Sequence, residues 1–212
     1  MKFRSSKIID FFLLQKDFYS KLNDKKMWLY IGIALVGLRD VGLGVIGMNF
    51  DPSAKTHVAL NIRTGAILFI AALLIGFIDV ICFSYPVFDI IKHFKKRSEN
   101  NSMAMGVSYS SLLTKVMKVY IAVNLIVTPL NLIAYYTLYI NPNNKYLILL
   151  YITAVLDILA YFWFNGAITR GLGVLFKLPT GARSLVFMLV FVWNALLTEA
   201  LNYIFLKVIE LL

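Results

Sequence analysis

Charge is scarce in this chain of 212 residues: Asp and Glu together number 11, and charged residues of both signs make up only 15%. A soluble domain carries about 25% charged residues. Here the shortage is coupled to 60% hydrophobic residues and a mean hydropathy of +0.77, more apolar side chain than a soluble interior of this size can hold. Lipid is expected to cover much of the surface. Cysteine occurs once, as Cys82 within an apolar run, which excludes an intrachain disulfide and leaves the redox compartment open. Histidine occurs twice, and His57 and His93 fall in separate loops, so they build no metal cluster. The HExxH, GxSxG and GxxxxGKS/T patterns are missing, and no nucleophile and base pair stands out. The expectation is a non-catalytic protein without cofactor or metal.

What the chain has instead is long apolar runs, at residues 27–48, 64–91, 112–140, 146–169 and 184–206. Each reaches the roughly 17 to 25 residues that a membrane-spanning helix requires. The fold class that follows is an all-α integral membrane protein. A bundle of five transmembrane helices, residues 27–212, follows an N-terminal amphipathic cytoplasmic segment, residues 1–26. The first run is preceded by a polar, charged stretch rather than a short basic one, which argues against a cleaved signal peptide. Pro86 in the second run and Pro129 in the third mark sites where a helix can kink.

Orientation follows from lysine and arginine, which cytoplasmic loops retain and translocated loops lose. Sixteen of the 21 lie in the N-terminal arm and in the second and fourth loops; four lie in the alternate segments, and Arg39 lies inside the first run. The N-terminus is therefore expected in the cytoplasm and the C-terminus outside. The net charge of +10 belongs mostly to the cytoplasmic face, where it suits anionic lipid headgroups rather than nucleic acid.

In the arm, Ile8, Phe11, Leu14, Phe18 and Leu22 recur every three or four residues with charged residues between them, the pattern of an amphipathic helix. Such a helix lies on the inner leaflet or docks on the cytoplasmic ends of the bundle. Lys92, Lys95, Lys96 and Arg97 form a basic cluster just past the second run. It either contacts lipid headgroups or only fixes topology.

Each run also carries a stripe of small or polar residues that should face the other helices: Gly37, Asp40, Gly44 and Gly47; Ala72, Gly76, Asp79 and Pro86; Asn124, Thr128, Asn131 and Tyr135; Thr153, Asp157 and Ala160; Ala195, Glu199 and Asn202. At about 1.5 Å of rise per residue, Arg39, Asp40, Asp79, Asp157 and Glu199 all fall in the middle part of a bilayer. One arginine faces four carboxylates. This intramembrane polar cluster is either a proton or cation path or a structural network in which Arg39 pairs with one or two acids.

The stretch from Tyr161, Phe162 and Trp163 through Gly171, Leu172 and Gly173 to Leu178, Pro179, Thr180, Gly181, Ala182 and Arg183, followed by another apolar span, resembles the end of a Yip1-domain protein. An amphipathic opening over residues 11–22, five spans and a basic second loop are similar to bacterial members of that family, so the resemblance covers most of the chain. The DLYGP and GYxxxP motifs of the eukaryotic members are absent. The many Lys, Asn and Ile residues suggest a bacterium with a low-GC genome. The resemblance implies a non-catalytic multi-pass protein of the bacterial plasma membrane. It would bind lipids, partner membrane proteins or its own copies, as a scaffold or as a helper subunit of an export complex. The buried acids give the alternative, a small proton- or cation-coupled transporter or channel. Five spans do not readily supply an inverted repeat for that role.

Overall fold

The computed structural model describes residues 18–19, 22–23, 25–50, 61–98, 109–140 and 147–210. Among them the chain forms five long helices: α1 (Lys26–Phe50), α2 (Ile62–Ser98), α3 (Tyr109–Ile140), α4 (Leu147–Leu175) and α5 (Thr180–Glu210). All five are long and apolar enough to cross a membrane.

Contacts between them follow an up-and-down register. Gly37 of α1 meets Ala72 of α2, and Gly76 of α2 meets Ile33 of α1. Asp79 and Asp89 of α2 meet Tyr120 and Tyr109 of α3, and Thr137 of α3 meets Thr153 of α4. Consecutive helices are therefore antiparallel. The near end of the bundle holds Lys26, Ser98, Tyr109, Leu175 and Thr180; the far end holds Phe50, Ile62, Ile140, Leu147 and Glu210. Helices α2 and α3 form the middle, with α1 packed across both, α4 on α3 and α5 on α2.

Two local features follow directly from proline. Pro86 has no N–H to give the carbonyl of Cys82 one turn earlier. The freed oxygen accepts a hydrogen bond of 3.0 Å from Trp193 Nε1, which ties α5 to α2. At the end of α4, Leu178 N–H donates to Gly173 O at 3.0 Å and Lys177 N–H to Val174 O at 3.4 Å, with Lys177 at φ 50°. This is a Schellman cap. Pro179 cannot extend the helix, so the chain turns sharply into α5.

The near half of the bundle is solid. Phe83, Val87, Phe88, Ile91, Val116 and Leu172 have at most 1% of their surface exposed and belong to one continuous cluster. Of the amphipathic arm, Ile8, Phe11 and Leu14 lie outside the described residues, whereas Phe18, Tyr19 and Leu22 pack against that cluster. Tyr19 is fully buried, its hydroxyl donates to Ala167 O at 2.7 Å, and its ring occupies the space that a Cβ on Gly171 would need. Burial pushes the Tyr19 phenol above its ordinary pKa against the opposing charge of Arg170. Lys118 lies within α3. Its Nζ donates to Asn23 O and Oδ1 at 2.7 and 3.0 Å and to Lys25 O at 2.7 Å. This part of the arm is thus fastened to the near end of the bundle.

Tyr19→Ala should cost about 3 kcal/mol, as for other buried aromatic truncations, and Tyr19→Phe about 1 kcal/mol for the lost hydrogen bond. Unfolding of the full chain in detergent measures both. Stabilities equal to wild type would show that the arm contributes nothing to the bundle.

Candidate functional site

The far half encloses a cavity of about 500 Å³ with walls from all five helices. On α3, Tyr120, Asn124, Asn131 and Tyr135 line it because steps of three, four or seven residues stay on one helical face. The same rule brings Asp157, Tyr161 and Phe164 of α4, and Asn194, Thr198 and Asn202 of α5, to its surface. Arg39 and Asp40 enter from α1 and Asp79 from α2.

The polar side chains form one connected path. Arg39 Nη1 donates to Asp40 Oδ1 at 2.8 Å and to Asn124 Oδ1 at 2.7 Å. Asn124 Nδ2 donates to Tyr120 O at 3.2 Å, and the Tyr120 hydroxyl donates to Asp79 Oδ1 at 2.8 Å. Tyr120 is held by a stacked contact with Phe83, ring centroids 3.9 Å apart, and an edge contact with Phe164. Asp79 is only 3% exposed.

The charges do not balance. Arg39 is matched by its neighbour Asp40, Asp79 has a neutral phenol as its hydrogen-bond partner, and Asp157 has no partner among the described residues. Full ionisation would leave two negative charges uncompensated beside largely apolar walls, which is costly unless a proton or another cation joins them. Among the described residues, no group of three or more His, Cys, Asp and Glu side chains could hold a metal ion.

Of the five residues expected in the polar cluster, Arg39, Asp40, Asp79 and Asp157 line this cavity. Glu199 does not. The buried residues of α5, Val186, Val190, Asn194 and Leu197, fix its inward face, so Thr198 and Asn202 line the cavity and Glu199 is exposed on the outer surface. Sequence reasoning missed Tyr120, although it extends the Asn124, Thr128, Asn131 stripe by one turn. It also missed Asn194 and Thr198, which lie one residue before the chosen Ala195 and Glu199. In the basic cluster, Lys92 Nζ lies 4.8 Å from the centre of the Tyr109 ring. Lys95, Lys96 and Arg97 sit on the last turns of α2, with side chains outside the described residues.

A scan against protein-family models, a search of curated proteins and a search of solved structures each find no match to this chain.

Proposed function

We propose that this is a five-span membrane protein that takes up protons or other cations into the far-half cavity, as a small cation-coupled transporter or channel. The observation that carries the reading is the cavity itself: it reaches Asp79 and Asp157, neither of which forms an ion pair among the described residues. Ionisable groups facing the inside of a bundle of spans are placed at a cost that function explains. In this reading the Arg39–Asp40 pair is a fixed frame, and Asp79 and Asp157 are the groups that gain and lose a cation. The solid near half, with Tyr19 fastened into it, closes the opposite route, so passage requires that half to loosen.

The lysine and arginine distribution supports a cytoplasmic N-terminus and an outside C-terminus, which places the far-half cavity on the outer side. Residues 161–183 support a Yip1-like protein of a bacterial plasma membrane.

Glu199 supports a second reading, in which the protein binds a partner membrane protein. An exposed carboxylate inside the span Thr180–Ile209 costs roughly 2 kcal/mol or more against lipid. A partner helix bearing a cation would remove that cost.

Flux in proteoliposomes containing only this chain separates the two readings. Proton or cation flux in the wild type, reduced at least about tenfold in Asp79→Asn and unchanged in Glu199→Gln, is the expected result. A silent wild type would discard the transport reading and leave partner binding.

A further inference from the structure

Among the described residues, three buried side-chain atoms have no hydrogen-bond partner: Arg39 Nε in the cavity wall, Ser84 Oγ and Asn165 Oδ1. Ser84 and Asn165 are 0% exposed. Both helices that carry them run toward the near end, so Asn165 follows directly on Phe164 of the cavity lining, and Ser84 lies five residues, about 7.5 Å, past Asp79. The cavity ends there on aromatic rings. Tyr120 and Phe164 line it, with their centroids 6.0 Å apart, and Phe83 of the solid half stacks on Tyr120. The two oxygens depart from the local habit of the bundle. The Thr114, Thr153 and Thr169 hydroxyls donate to the carbonyl one turn earlier at 2.8 to 2.9 Å, whereas the Ser84 hydroxyl makes no such bond. Asn124 gives its amide to Tyr120 O while its Oδ1 accepts from Arg39; Asn165 gives its amide to Tyr161 O at 2.8 Å, and no described residue donates to its Oδ1. A fully buried oxygen is unfavourable without a donor, so each marks a place where a donor arrives from elsewhere.

Resting on the cavity as the route of a cation, we infer that the cargo is the proton, and that Asn165 and Ser84 each hold a water that carries it past an aromatic gate of Phe83, Tyr120 and Phe164. Water is a donor that both oxygens can accept from. Neither an amide nor a serine hydroxyl titrates near neutral pH, so these side chains position water and leave the proton to it. A proton taken up on one side of such a water leaves as another proton on the far side, with no net change at Asn165 or Ser84. A metal ion is a poorer fit, because it needs about six oxygens, brought along as water or found in the protein. The stretches of α2 and α4 around the two oxygens are otherwise apolar: Val80, Phe83, Val87, Ile168 and Leu172 are at most 1% exposed and belong to one cluster. The gate adjoins the site of uptake, since the Tyr120 hydroxyl donates to Asp79 at 2.8 Å.

The test uses the full chain in proteoliposomes, with flux measured under a proton gradient and separately under a sodium gradient, and melting temperature measured in detergent. Wild type should pass protons and not sodium. Asn165→Leu keeps a branched side chain but removes the unpartnered oxygen, so it should cut proton flux at least about tenfold while melting at or above wild type. Ser84→Ala should cut flux about three- to tenfold, and Asn165→Ser, which restores an oxygen, should recover most of the flux lost in Asn165→Leu. Phe164→Val thins the gate and should raise proton flux; a folded Phe164→Val protein with flux at or below wild type would overturn the gate. A merely structural Asn165 would lose melting temperature and flux together, with no rescue by serine, and that result overturns the proposal. Sodium flux through the wild type would overturn it too, as would wild-type proton flux in both Asn165→Leu and Ser84→Ala, and each of these leaves the transport reading standing. A wild type that passes neither ion removes both.

Discussion

Gly37→Val is expected to abolish the folded bundle, at a cost of about 3 kcal/mol or more. A Cβ on Gly37 would fall on the carbonyl oxygen of Ala72, and 2.8 Å from both the Ala72 carbonyl carbon and the Gly76 nitrogen. These are backbone atoms of α2, which cannot rotate aside. The contact is reciprocal, because a Cβ on Gly76 would meet Ile33 O and lie 2.7 Å from Gly37 N. Two glycines thus let α1 and α2 touch backbone to backbone, as small residues do between packed spans. Any side chain forces the helices apart and withdraws Arg39 and Asp40 from the cavity. Gly42→Ala is the control: nothing lies within 4 Å of its Cβ position, and alanine favours a helix by about 1 kcal/mol. Folded yield in detergent should fall to near zero for Gly37→Val and stay at or above wild type for Gly42→Ala. Equal yields would mean that α1 and α2 do not meet at these glycines.

Arg39→Ala should lower stability by about 2 kcal/mol and disorder the cavity wall. One guanidinium nitrogen, Nη1, bridges Asp40 of its own helix and Asn124 of α3, so its removal strands a carboxylate and unties two helices together. Arg63→Ala removes the same charge from an exposed site at the start of α2 and should cost less than about 0.5 kcal/mol. The paired change Arg39→Gln with Asp40→Asn removes both charges and keeps the capacity to hydrogen-bond Asn124. It should therefore be less damaging than Arg39→Ala alone. Denaturant unfolding compares all three, and a double variant worse than the single would show that Arg39 acts through something other than this pair.

The five long apolar helices were legible because length and hydropathy are additive along a sequence: the expected run 27–48 falls in the candidate span Lys26–Asn49, and 112–140 largely in Tyr109–Thr137. The meeting of Arg39, Asp40 and Asp79 was legible too, since small residues one turn away marked the inward faces of α1 and α2. Glu199 was misplaced because α5 is apolar nearly all round, so periodicity gives no inward direction. Its face is set by tertiary contacts, such as Trp193 reaching the Cys82 carbonyl freed by Pro86, and no local pattern announces them. The near-end seal was hidden for the same reason. Tyr19 lay outside the arm's apolar stripe, and Lys118 was one cation inside a long apolar run. Only the fold shows Gly171 making room for the first and the carbonyls of Asn23 and Lys25 receiving the second.

The central claim is that the bundle spans a membrane and that water reaches its far-half cavity from the far face. Single cysteines placed in a Cys82→Ser chain test it with a membrane-impermeant thiol reagent on intact cells. Asn131→Cys and Thr198→Cys, on the cavity wall, should react as does Asn143→Cys, between Ile140 and Leu147. Val155→Cys on the exposed apolar face of α4, and Ser98→Cys at the near end, should remain unlabelled. Asn131→Cys and Thr198→Cys as inert as Val155→Cys would contradict the account.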